Sequence, residues 1–126
     1  MTSITIGTAI FNILSNDSGV TAITKNIYPL ILPENTTLPA IIYERKASVE
    51  YSRDGAGINT SIIDITAIAT DYSDSVNMAQ AIYNALNMYT NQNGGNSIFN
   101  IRLENVEESF YEMAFFQKMT FSCKSI

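Results

Sequence analysis

The sequence predicts an α+β fold: an antiparallel β-sheet with two main helices packed on one face, in the order α-β-β-α-β-β. Residues 40–51 and 58–70 alternate side chains with the two-residue period of a strand. The stretch between them, Ser52-Arg53-Asp54-Gly55-Ala56-Gly57, is short and glycine-bearing, as an antiparallel hairpin turn requires. Residues 3–14 and 73–89 repeat their apolar positions with the period of a helix. Antiparallel strands with helices gathered on one face make a two-layer sandwich. At 126 residues the chain is the size of one domain, 1–126, able to bury a core without disulfides or metal.

In the first helix Ile6, Ala9, Ile10, Ile13 and Leu14 share one face, and Thr2 or Ser3 can cap its start. Ser15-Asn16-Asp17-Ser18-Gly19 breaks the pattern, and Val20 to Ile23 adds a further turn capped by Asp17 or Ser18. Ile27-Tyr28 has the makings of a short strand. Pro29, Pro33 and Pro39 bracket residues 29–38, which lack the donors of a central strand and read as an ordered surface loop. In the first long strand Ile41, Tyr43, Arg45, Ala47, Val49 and Tyr51 point one way, an apolar face interrupted by Arg45. In the second, Ile63, Ile65, Ala67 and Ala69 form a clean core face, with the small alanines leaving room for the helix that follows.

That helix shows Val76, Ala79, Ile82, Tyr83 and Leu86 at helical spacing, with Asp71, Ser73 or Asp74 as caps. It ends in the turn residues 90–97. A strand over 98–103 follows, extended by residues 106–111. A last strand over 112–124 places Met113, Phe115, Gln117, Met119, Phe121 and Cys123 on one face.

Composition removes several function classes. The chain has no histidine, which excludes Ser-His-Asp and Cys-His catalysis and any imidazole metal site. The formal net charge is −5 and the seven basic residues are scattered, which argues against gripping a nucleic-acid backbone. The one cysteine, Cys123, cannot pair internally and reads as a small buried apolar residue. The N-terminus lacks the pattern of a signal peptide, and no apolar run approaches a membrane span, so no membrane partner is expected. Hydrophobic residues make up 46% of the chain and charged residues 15%, leaving a surface whose polarity comes mainly from Asn, Ser and Thr. Weak charge repulsion on such a surface favours life in an assembly.

No constellation carries chemistry. Glu104, Glu107, Glu108 and Glu112 read as a solvated strand edge whose like charges discourage stray strand pairing. Asp71-Tyr72-Ser73-Asp74-Ser75 begins like a calcium loop but has Val76 where glycine and Ile82 where glutamate belong. Gly55-Ala56-Gly57 precedes a strand instead of opening a helix, so it is no phosphate cradle. The aromatic residues of the last strand face the helices as core and have no basic groove beside them. No catalytic residue, metal site or cofactor is expected.

The run Ile10-Phe11-Asn12-Ile13-Leu14-Ser15 with Gly19-Val20-Thr21-Ala22-Ile23, then Ile27-Tyr28-Pro29 and Leu38-Pro39-Ala40-Ile41-Ile42-Tyr43, resembles the tail-completion proteins of long-tailed bacteriophages. The strand Ile63-Asp64-Ile65-Thr66-Ala67 and the helix bearing Ala79, Ile82 and Leu86 resemble them too. The likeness covers about residues 8–90 and continues weakly beyond. It implies a tail terminator, or tail-to-head joining protein: a hexameric ring, built in the bacterial host cytoplasm, on the head-proximal end of the tail tube. The implied partners are other copies of the chain, the tube protein and a head-completion or connector protein. Genomic DNA would pass through the lumen without specific binding, which an acidic wall would suit. The family offers no catalytic motif to carry over. Another head–tail connector or tail component, and a small-ligand-binding α+β module, are the alternative readings. Within the hairpin, Tyr51, Arg53, Asp54, Gly55 and Gly57 are the expected subunit interface.

Overall fold

The computed structural model describes residues 3–51, 58–90 and 98–125. A 3-10 turn (Ser3–Thr5) leads into α1 (Ile6–Asn16), followed by α2 (Ser18–Thr21), β1 (Ile27–Pro29), β2 (Ala40–Tyr51), β3 (Ile58–Ala69), α3 (Tyr72–Leu86), β4 (Ile98–Tyr111) and β5 (Ala114–Ser125). The fold is α+β, as the periodicities predict.

The five strands form one sheet in the order β1-β2-β3-β5-β4. Three of the four pairings are antiparallel; β1 alone runs parallel to its neighbour β2, so the sheet is mixed. Ile41 N–H donates to the Asn26 carbonyl at 2.8 Å, and Leu30 N–H to the Tyr43 carbonyl at 2.9 Å, which bracket this short parallel ladder. The expected loop after β1 is ordered by side chains: Thr24 Oγ1 donates to the Pro39 carbonyl at 2.7 Å and Asn26 Nδ2 to the Thr37 carbonyl at 2.8 Å. The Leu38–Pro39 peptide is cis.

One face of the sheet carries the helices. Ile63, Ile65, Ala67 and Ala69 of β3, with Met119, Phe121 and Cys123 of β5, meet Ile6, Ile10 and Leu14 of α1 and Met78, Ile82 and Leu86 of α3 in one apolar cluster. Helix α3 packs on β3 and β5, where the short side chains of Ala67 and Ala69 admit it; α1 packs towards β1 and β2. A register shift between Arg45 and Ala47 is where the regular alternation of β2 breaks.

Only the first helix starts away from its expected caps; Asp17 and Asp71 take the N-cap positions expected of them. The α-helix begins at Ile6 after the 3-10 turn, and Thr5 takes the N-cap position without a side-chain capping bond. Asp17 caps α2, its carboxylate accepting Val20 N–H at 3.0 Å. Asp71 takes the N-cap position of α3 with no side-chain capping bond; its carbonyl accepts Ser75 N–H at 3.1 Å. The apolar stripe of α3 is also turned from the one expected. Ser75, Met78, Ile82 and Leu86 are buried, while Val76 and Tyr83 stay exposed.

Candidate interaction site

The turn of α3 away from the outermost strand leaves an apolar groove between α3 and β4. Tyr72, Val76, Ala79 and Tyr83 form the helical wall; Leu103 and Val106 of β4 and Met119 of β5 complete an open, shallow groove of about 540 Å³. The exposed apolar surface runs on to the tip of the β4–β5 hairpin, where Phe110 packs against Phe115 at 4.7 Å between ring centroids with the rings tilted by 48°, and Tyr72 meets Phe115 edge-on at 5.7 Å. The tip turns at Glu112 and Met113, both at positive φ (49° and 64°), the left-handed pair that a two-residue hairpin needs. Met113 is 80% exposed.

Strand β4 is a 14-residue edge strand, and its outer edge is only partly covered. Past α3, Met88 adopts φ 65° in the left-handed position that commonly ends a helix. Its N–H donates to the Ile101 carbonyl at 2.7 Å, and Leu103 N–H donates to Asn87 Oδ1 at 3.1 Å. These bonds occupy the edge at one end. Towards the hairpin tip stand Glu104, Glu107, Glu108 and Glu112, all exposed, in the edge position expected of them.

The polar end of the groove is closed on itself. Tyr72 Oη donates to Glu108 Oε2 at 2.5 Å, and Gln117 Nε2 donates to the same oxygen at 2.8 Å and to Ser75 Oγ at 3.3 Å. These donors hold the Glu108 carboxyl below its ordinary value of 4.5, led by the Tyr72 hydroxyl and then the Gln117 amide. The same bond pushes the Tyr72 hydroxyl above its ordinary 10.0. Because the Glu108 value is depressed on folding, its contribution exists above 4.5 and fades as pH falls through the lowered value. Because the Tyr72 value is raised, its contribution exists below 10.0 and fades as pH rises through the raised value. The melting-temperature difference between wild type and Tyr72→Phe should therefore be widest at neutral pH and shrink at both extremes. A difference independent of pH would contradict this pairing.

Among the described residues no helix covers the other sheet face, which is organised around Asp64, only 7% exposed. Thr120 Oγ1 donates to Asp64 Oδ1 at 2.7 Å, and Oδ2 lies 3.6 Å from Lys118 Nζ and 4.0 Å from Lys46 Nζ. Lys46 also lies 3.5 Å from Glu44. The carboxylate is thus matched by two half-exposed lysines in the middle of a sheet face. Cys123 is buried on the helical side, where desolvation pushes its thiol up to about 12 and leaves it inert.

Of the expected interface residues, Tyr51 ends β2 opposite Ile58. Arg53, Asp54, Gly55 and Gly57 lie outside the described residues. The groove was hidden in the sequence because Val76 and Tyr83 obey helical spacing and read as core. Its signal was an excess: α3 has more apolar positions than one buried stripe uses. Among the described residues no cluster of three or more His, Cys, Asp or Glu side chains is placed to hold a metal ion. No helix among them is long and apolar enough to cross a membrane.

No family model and no curated protein matches the sequence. Solved structures do match the fold. One is a chain in the virion of a native gene transfer agent particle: TM-score 0.79 at 12% identity, over 92% of this chain and 90% of that one. The two share a fold. A second solved structure, whose description states no activity, superposes with TM-score 0.58 at 12% identity, over 94% of this chain and 95% of the other. At such identity the sheet order and helix placement are common property, while side-chain roles are not.

Proposed function

We propose that the chain is a structural virion protein that closes the head-proximal end of a phage tail tube as a hexameric ring, ends tube growth and joins the tail to the head connector. The observation that carries this reading is the end-to-end fold match to a virion component. It comes from a comparison independent of the family resemblance in residues 10–15, 19–23, 27–29 and 38–43. A ring subunit needs surfaces for neighbours instead of a reaction centre, and the molecule fits that need. Apolar side chains stand exposed beside an edge strand, and the polar groups of the groove are spent on one another. The hairpin residues Tyr51, Arg53, Asp54, Gly55 and Gly57 are proposed as a further contact between subunits. A net charge of −5 suits a channel through which DNA slides without adhering.

The test is to add purified protein to polymerising tail tubes of the same phage and measure tube lengths. Shortened tubes with growth arrested at one end are expected. Tubes of unchanged length would overturn the terminator role; binding to the head connector alone would instead favour another head–tail component.

A further inference from the structure

Among the described residues, the buried polar side chains of Thr24, Asp64, Ser75 and Gln117 each hold a hydrogen bond to another protein group. Ser61 and Ser125 do not. Both residues are 0% exposed, and neither hydroxyl oxygen has a partner in the protein. A buried hydroxyl left unpaired destabilises a fold, so two of them side by side need a physical account.

Their placement supplies one. Ser61 of β3 lies opposite Cys123 of β5, and Ser125 stands two residues further along β5, on the same face as Cys123. That face is the core side, shared with Ile63 and Phe121. Ser61 and Ser125 are therefore diagonal neighbours, with Cα atoms about 7–8 Å apart and Cβ atoms somewhat closer. Neither hydroxyl bonds the other across this gap. One water molecule between two hydroxyl oxygens spans about 5.6 Å, two hydrogen bonds of ordinary length, and matches it. Cys123 lies beside the same point. Burial pushes its thiol up to about 12, so it stays protonated and offers a weak S–H donor and a weak sulfur acceptor.

We propose that Ser61 and Ser125 bind a single internal water between β3 and β5, beside Cys123, as a fixed part of the core. Two hydroxyls and a thiol make three partners, the usual number for a buried water. Each hydroxyl can donate to the water or accept from it, so both are satisfied without disturbing the strand pairing. The groups that face the site carry no charge, which fits a neutral ligand and not an ion. The site also accounts for serine at two positions of an otherwise apolar face. It belongs to the single chain and does not depend on the ring.

Two measurements on the full-length protein test it. A crystal structure fine enough to show ordered solvent should place one peak within about 3 Å of both hydroxyl oxygens. The peak should vanish in the Ser61→Ala/Ser125→Ala double variant. No peak in the wild type, or hydroxyls bonded to protein atoms instead, would overturn the proposal. The second measurement compares melting temperatures of Ser61→Ala, Ser125→Ala and the double variant at one fixed protein concentration, since assembly adds stability by mass action. Each single change strands the water and the remaining hydroxyl, and should lower the melting temperature by about 2–6 °C. The double variant should lose clearly less than the sum, because the second change removes a group already stranded. Single variants that melt higher than wild type would mean hydroxyls that were simply unpaired. Additive shifts of either sign would mean two independent positions. Either result overturns the shared water.

Discussion

Phe121→Ala is expected to remove about 3–5 kcal/mol of folding stability, the cost of deleting a large aromatic side chain from a closed core. Phe121 is fully buried on β5, opposite Ile63 of β3 and Leu103 of β4, in the cluster that joins the sheet to α1 and α3. Backbone strands on both sides hold the hole open, so collapse offsets little of the loss. The chain has no tryptophan, so urea unfolding is best followed by far-ultraviolet circular dichroism. It should be done at one fixed protein concentration, since assembly adds stability by mass action. A loss below about 1 kcal/mol would mean that the helices do not pack over β5 as described.

Asp64→Ala is the second large effect, about 1.5–3 kcal/mol, the range for a hydrogen bond to a charged group. The substitution strands the Thr120 hydroxyl and removes the carboxylate near Lys118 and Lys46. The lysine side chains are 44% and 49% exposed, so solvent screens most of their share and the Thr120 bond carries the larger part. Asp64→Asn keeps an oxygen to accept from Thr120 and should be milder. Equal losses in the two variants would move the energy from the hydrogen bond to the charge.

Much of the fold was legible because its signals are local. Alternation at Ile63, Ile65, Ala67 and Ala69 marked the core face of β3, and the Asp17 cap followed from its place before a helical turn. Sheet order was not legible. That β5 lies between β3 and β4 depends on pairings such as Ile63 with Phe121, far apart in the chain, and alternation fixes faces without naming neighbours. The parallel pairing of β1 spans three residues and ends on a proline, too little for any pattern to register. The bulge after Arg45 and the left-handed Leu30 are single-residue departures of the same kind. The groove was missed for a different reason. Spacing identifies a helical face, but only the position of β4 decides which apolar residues on α3 are covered. The sequence pointed instead to the hairpin turn at Arg53 and Asp54, where charged residues on a protrusion suggested contact.

The proposed role of this chain is that of a closed ring at the end of a tube. Electron microscopy of tail tubes mixed with the purified protein addresses it most directly. A single ring of six copies capping one end of each tube is the predicted image. Bare tube ends, or copies bound along the tube wall without closure, would contradict it.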